Sequence, residues 1–235
     1  TALITGAAHR LGRAVAERLA DEGVNVIVHY RRSREEAEAA ASEFSKMGVR
    51  AWTVAADLEL PVEAERLVDR AWQCSGGFSI LINSASIFEK GSLENTTYES
   101  YFRHLNINAW APFALARAFA GKAGCGQIVN FLDARVHGYN FTHAAYFLSK
   151  RTLEYLTRHL ALELAPAFRV NAVAPGLILA PAGEGPDYLD RLKDTVPLRT
   201  HGEPDDIADA VLYLLRSGFV TGQTLFVDGG RHLRD

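Results

Sequence analysis

Short apolar runs alternate along this chain with stretches whose apolar residues recur every three or four positions. Residues 1–5 (TALIT), 24–30 (VNVIVHY), 49–57 (VRAWTVAAD), 78–86 (FSILINSAS), 127–133 (QIVNFLD), 168–176 (FRVNAVAPG) and 223–230 (QTLFVDGG) read as strands. Several are apolar at successive positions, the mark of a strand covered on both faces. Between them, residues 13–23, 33–48, 61–74, 98–120, 144–164 and 204–216 carry helical spacing, and Gly23 suits the end of the first. Strand and helix in alternation predict an α/β fold, one Rossmann-type doubly wound parallel sheet of about seven strands with helices on both faces. No repeat or low-complexity linker divides the chain, so residues 1–235 are expected to form a single domain. Residues 179–202, a Pro- and Gly-containing excursion after the sixth strand, are expected to form a substrate lid.

Composition narrows the function classes. Hydrophobic residues make up 48% and charged residues 23%, and no apolar run is long enough to span a bilayer. A net charge of −3 and a pI near 6.2 give no basic field for nucleic acid. The two cysteines, Cys74 and Cys125, are too few for a disulfide framework and lack metal-ligand spacing, so no metal is expected. No leader-like stretch precedes TALIT; the expected setting is reducing and cytoplasmic, with a few native residues ahead of Thr1.

The loop TGAAHRLG lies between a strand and a helix, the context in which a glycine-rich loop signifies dinucleotide binding. Gly6 permits the tight turn, Gly12 permits close helix packing, and the free amides of the helix start can meet a pyrophosphate, with Leu11 beside them. Where the usual spacing has a middle glycine the chain has Arg10, expected to reach over the cofactor as a cation. The second strand ends His29, Tyr30, Arg31, Arg32, Ser33, with no acid before Glu35. Two guanidiniums without a carboxylate favour NADP over NAD, although a basic pair is also common on plain surface. Asp57, ending the third strand with Leu58 after it, is expected either to accept from an adenine amino group or to cap the next helix.

The richest stretch is DARVHGYNFTHAAYFLSK. Tyr146 and Lys150 stand four residues apart, which puts phenol and ammonium on one helix face, where the ammonium favours the phenolate. Asp133, thirteen residues before Tyr146, closes a buried strand, so three proton-handling groups are expected in one crevice. The plainer alternatives are a capping role for Asp133 and a wall residue for His143. Phe88 reads as a core aromatic otherwise, and Trp52, Trp72 and Trp110 as packing.

These residues resemble the short-chain dehydrogenase/reductase superfamily over nearly the whole chain, from TGAAHRLG through NSAS, Asn108, Tyr146/Lys150 and APG to FVTGQTLFVDGG. Arg10, HYRRS, Phe88 and an aspartate at 133, where most of the superfamily has serine, resemble the pteridine reductase branch; His143 and RHL near the end look most like bacterial dihydromonapterin reductases. The resemblance implies a homotetramer packed through residues 98–120 and 144–164, reducing a pterin or folate with NADPH. It implies that Tyr146 is the catalytic tyrosine, that Lys150 holds the nicotinamide ribose, and that Asn108 positions a water relaying protons to Lys150. Asn83, Ser84 and Ala85 would line the adenosine side, and Pro175, Gly176 and Ile178 the carboxamide. Phe88 would stack on the pterin, with Ser86 and Arg10 bonding its polar edge. The chain departs from the pattern at Ser84, at His143 and across the lid. Whether Arg231 and His232 reach a neighbouring subunit is left open.

An ionised aspartate suits a carbonyl reductase poorly, because it would repel the charge developing on oxygen. Reduction of a C=N bond instead needs a proton on nitrogen, which a carboxylic acid can donate. Two other readings stand beside it: a carbonyl reductase of acyl, sugar or quinone substrates, and a cofactor-sensing protein without turnover.

Overall fold

A computed structural model describes residues 1–181, 183–185 and 187–234. The seven strands are β1 (Ala2–Ile4), β2 (Val26–Tyr30), β3 (Ala51–Ala55), β4 (Ile80–Asn83), β5 (Gly126–Phe131), β6 (Phe168–Pro175) and β7 (Thr224–Val227). All pair in parallel in the order β3-β2-β1-β4-β5-β6-β7. The doubly wound sheet read from the sequence is therefore present, with strands shorter than the apolar runs.

Alternation within each strand divides the core in two. Ala2, Ile4, Val26 and Val28 face one way, against α1 (Arg10–Asp21), α2 (Arg34–Lys46) and, far along the chain, residues of 204–216. Leu3, Ile27, Leu81 and Ile128 face the other way, against α3 (Pro61–Ser75) and the helices that follow. Because both faces are buried, neither can be polar, which is why the strands read as unbroken apolar runs.

The stretch expected as one helix at 98–120 is α4 (Tyr98–Leu105), a π turn (Asn106–Trp110) and α5 (Ala111–Lys122). The wide turn carries Asn108 fully buried toward the sheet, a local deviation of the kind often seen at functional sites. It also turns Trp110 outward: that side chain is 39% exposed, so of the three tryptophans expected to pack, this one lies on the surface while Trp52 and Trp72 lie against the core. Next come α6 (Ala144–Glu163), a short α7 (Tyr188–Leu192) in the expected lid, and α8 (Pro204–Arg216) with a capping box between Glu203 and Asp206. Ala182 and Pro186 of the expected lid lie outside the described residues. Among the described residues no helix is long and apolar enough to cross a membrane.

Strand order reverses between β1 and β4. The chain winds outward from β1 through β2 to β3 and then returns to build on β1's other side, so the loops after β1 and β4 diverge and leave a crevice at their carboxyl ends.

Candidate active site

A cavity of about 1080 Å³ opens at that crevice, lined from the loops after β1 to β6, the last of which contributes Leu179, Gly183 and Tyr188. Its floor is backbone. Gly6 has φ +68°, and a Cβ there would come within 3.1 Å of Ala85 Cα. Thr5 Oγ1 accepts from the amides of Ser84 and Ala85 at 3.0 Å each, clamping the end of β4 against the loop after β1. Beneath the loop, Gly6 N donates to His29 Nδ1 at 3.1 Å, and His29 Nε2 bonds Ala56 O at 3.1 Å. The ring is the neutral tautomer protonated on Nε2, and burial lowers its pKa to about 4. His29 lines the cavity, yet both nitrogens are spent on backbone.

Leu11, Gly12, Leu58, Ser84, Ala85, Pro175, Gly176 and Ile178 line the cavity, as do Arg10, Arg31 and Asp57. Four expected cofactor neighbours do not: Tyr30 belongs to the core, Arg32 and Ser33 are not among the cavity's walls, and Asn83 is buried in the sheet. Asn83 departs further. It is 2% exposed, and its Nδ2 donates to Asn130 Oδ1 at 2.8 Å, whose own Nδ2 donates to Thr157 Oγ1 at 2.9 Å. This buried relay ties β4 and β5 to α6, so Asn83 braces the sheet from within rather than lining the adenosine side. Arg10 sits at φ +54°, in the left-handed region that residues with a side chain seldom adopt, and its Nη2 donates to Ala180 O at 2.7 Å. The guanidinium thus spans from the glycine loop to the stretch after β6.

At the other end Asp133, Tyr146 and Lys150 converge. Tyr146 Oη donates to Asp133 Oδ2 at 3.0 Å, while Asp133 Oδ1 accepts from Arg135 N at 2.8 Å. One oxygen performs the capping role and the other meets the phenol, so the two readings of this acid coexist. Lys150, 2% exposed, donates from Nζ to Phe131 O at 2.7 Å and lies 5.7 Å from the Tyr146 ring centroid. The expectation that the ammonium draws the phenol toward phenolate needs correction: burial, and next to it the Asp133 charge, push the phenol well above its ordinary value. Burial raises the Asp133 carboxyl and is opposed by the Arg135 amide, the Tyr146 hydroxyl, Lys150 and Arg231. Lys150 is pulled down to about 8 by burial against the attraction of Asp133.

The side chain of Asn108 is fully engaged. Its Oδ1 accepts from Ser86 Oγ at 3.1 Å and Ile87 N at 2.9 Å, and its Nδ2 donates to Ile87 O at 3.1 Å and Ser149 Oγ at 3.0 Å. An amide side chain offers two donors and one acceptor oxygen with two lone pairs, so every bond this side chain can make is made within the protein. What Asn108 does is lock the loop after β4 to α6. Phe88, at the tip of that loop, is 43% exposed and so is not core. One of its faces already stacks on His143, with centroids 4.1 Å apart and planes at 6°, and its ring meets that of Tyr146 at 82° with centroids 4.7 Å apart. Only the opposite face is free for a flat ligand. Ser86 lines the cavity with its hydrogen directed toward Asn108.

Several contributors escaped the sequence reading. Thr5 was legible in principle, since a threonine directly precedes Gly6. Arg231 lines this chain's own cavity from the C-terminal turn, where buried Asp228 accepts from Gly230 N at 3.0 Å and His232 N at 2.6 Å. His232 turns away from it, bonded through Nδ1 to Asp228 Oδ2 at 2.8 Å and stacked on Phe226.

A family model described as enoyl-(acyl carrier protein) reductase matches residues 6–232. A putative ketoacyl reductase of the granaticin polyketide synthase of Streptomyces violaceoruber is 36% identical over 99% of this chain and 96% of its own length. The 3-oxoacyl-[acyl-carrier-protein] reductase FabG of Staphylococcus epidermidis is 30% identical over 99% of both. Among solved structures, FolM alternative dihydrofolate reductase 1 from Brucella suis in complex with NADP superposes with a TM-score of 0.94 at 35% identity, covering 99% of this chain and 94% of that one.

Proposed function

Since the chain belongs to the short-chain dehydrogenase/reductase superfamily, we propose that it is an NADPH-dependent reductase of dihydropterins, dihydromonapterin, dihydrobiopterin or dihydrofolate, yielding the tetrahydro form. The observation that carries this reading is the carboxyl of Asp133, 3.0 Å from the Tyr146 hydroxyl at the end of the cavity, where a carbonyl reductase profits from a neutral donor. The Brucella FolM protein, crystallised with NADP and titled a dihydrofolate reductase, supports it from outside.

The cradle suits a dinucleotide. Backbone at Gly6 and Gly12 leaves no room for a Cβ, Arg31 supplies a cation at the adenosine end, and Lys150 supplies a buried one at the other. Bound NADPH would supply a hydride. The protein's own part is protonic. Burial raises the Asp133 carboxyl and so favours its protonated form, which would deliver its proton to N5 of the pterin directly or through water as C6 is reduced. Tyr146 hydrogen-bonds the carboxyl and keeps it aimed; Lys150 balances its charge once the proton has left. Phe88 offers its unstacked face to the ring, and Arg10 and Ser86 offer polar edges.

Because the protonated carboxyl is the working form, kcat/KM for a dihydropterin should fall as pH rises through the raised Asp133 value. A second decline should set in above about 8 as Lys150 loses its proton. A stopped-flow or steady-state pH profile reads both limbs; a rate that climbs steadily from acid to neutral pH would contradict the assignment.

A second reading has specific support: the Streptomyces and Staphylococcus relatives are named ketoacyl reductases. NADPH oxidation measured side by side with a dihydropterin and with a β-ketoacyl thioester separates the two, and preference for the thioester would overturn the pterin reading.

The same resemblance supports a homotetramer. Phe102 and Trp110 are 40% and 39% exposed along the outer side of α4 and the π turn, and with Leu105, Phe113 and Leu156 they line an apolar groove of about 350 Å³ against α6. A second copy is the occupant proposed. Trp110→Arg should lower the mass measured by light scattering, and an unaltered chain that runs as a monomer would remove the tetramer.

A further inference from the structure

A line of charged side chains follows the cavity's edge from the loop after β2 to the loop after β4. Arg31 Nε meets Asp57 Oδ2 at 2.9 Å, and Arg31 Nη2 donates to Glu59 Oε2 at 3.1 Å. That same oxygen accepts from Arg103 Nε on α4 at 3.1 Å, and Arg103 Nη1 donates to Glu89 Oε1, next to Phe88, at 2.5 Å. Glu59 therefore lies between two guanidiniums, one at the adenosine end of the cavity and one on a helix. Arg31, Asp57 and Glu59 all line the cavity; Arg103 does not.

This arrangement alters what Arg31 can do. A guanidinium has five N–H donors, and two carboxylates already occupy Nε and one Nη of Arg31. An acid bonded to that guanidinium also faces any anion the guanidinium takes up, and repels it. A ribose with both hydroxyls free is neutral and meets no such repulsion; it can donate to the same acid. Charge on Glu59 thus works against a 2′-phosphate and not against a diol. Arg103, sharing the same oxygen, withdraws part of that charge.

We propose that Glu59 is a specificity-determining residue of the adenosine end: its carboxylate restrains the preference of Arg31 for a 2′-phosphorylated dinucleotide, and Arg103 sets the strength of that restraint. The inference rests on the reading that this end of the cavity takes the adenosine of NADP. No local motif could reveal it, because Glu59 and Arg103 are 44 residues apart and meet only through the fold.

Dissociation constants of NADP⁺ and NAD⁺ for the unliganded protein, measured by titration calorimetry at low salt, test it without recourse to turnover. Glu59→Gln keeps the shape and removes the charge at a site one-third exposed, so folding is not at risk. NADP⁺ should bind about tenfold more tightly, as expected for removing one charge near a phosphomonoester in a largely aqueous setting. NAD⁺ should change by less than about twofold, and the NADP⁺ gain should shrink toward 1 M salt, where screening acts within about 3 Å. Arg103→Gln should weaken NADP⁺ several-fold, and most of that loss should vanish in the Glu59→Gln background, since the two act as one unit. An unchanged ratio of the two constants in Glu59→Gln, or an equal Arg103→Gln loss in both backgrounds, overturns the proposal. Failure of the unaltered protein to bind either dinucleotide would instead overturn the cofactor reading on which it rests.

Discussion

Replacing Asp133 with asparagine or serine is expected to lower dihydropterin turnover by about 100- to 10,000-fold, the usual contribution of a positioned general acid. Asparagine keeps the shape, with Oδ1 accepting from Arg135 N and Nδ2 donating to Tyr146 Oη where the carboxylate oxygen accepted, and it removes the acidic proton. Stability should not follow activity down. The folded-state pKa of this carboxyl is raised, so the fold holds its proton more tightly than the unfolded chain does. The stability it contributes is full below the ordinary carboxylate value and is lost as pH rises through the raised one, and a neutral amide leaves that pH dependence out. Thermal melting within a few degrees of the unaltered protein, together with a flattened acid limb of the pH profile, is the expected pair of results. Serine has a further diagnostic use: it restores the neutral donor common in the superfamily, so ketone reduction should rise as pterin reduction falls. Unchanged pterin turnover in both variants would remove the aspartate from the chemistry.

Gly12→Ala is expected to abolish measurable dinucleotide binding and to lower stability by about 1–3 kcal/mol, the range for forcing one methyl into a packed site. A Cβ at this position would stand 2.5 Å from Gly6 O, 3.0 Å from Gly6 C and 3.2 Å from Ala7 Cα. All three are backbone atoms, so no side chain can swing aside. The loop itself must move, and Gly6 cannot move freely, because its amide is held by His29 and its Cα faces Ala85. Denaturant unfolding reads the stability change and calorimetry reads the binding. By contrast Gly23→Ala, at a position with φ +75° but nothing within 4 Å, should cost stability alone and leave dinucleotide affinity intact. Equal binding by Gly12→Ala and the unaltered chain would mean that the loop does not cradle the ligand.

How much of this was legible beforehand depended on range along the chain. Periods of two and near four residues are written into windows of a dozen positions, so β1 to β7, the single sheet and the glycine loop followed from the apolar pattern. The same holds for Tyr146 and Lys150 on one helix face and for Asp133 at a strand's end, since each is fixed by its own element. Partnerships were another matter. That Tyr146 bonds Asp133 and Lys150 bonds Phe131 O could not be ranked from spacing, because both distances depend on how α6 lies across β5. Asn83 sits in a motif that resembles a cofactor-lining one, yet the sheet's pleat turns it inward to Asn130. Phe88 spends one face on His143, 55 residues later, and Asn108 spends its whole amide on Ser86, Ile87 and Ser149. Local sequence, then, determined which elements form and which chemical groups stand at their ends. Only the tertiary structure decided which groups face each other and which hydrogen bonds are already taken, because a side chain's partners are chosen by the order of strands and the crossing of helices rather than by its neighbours in the chain.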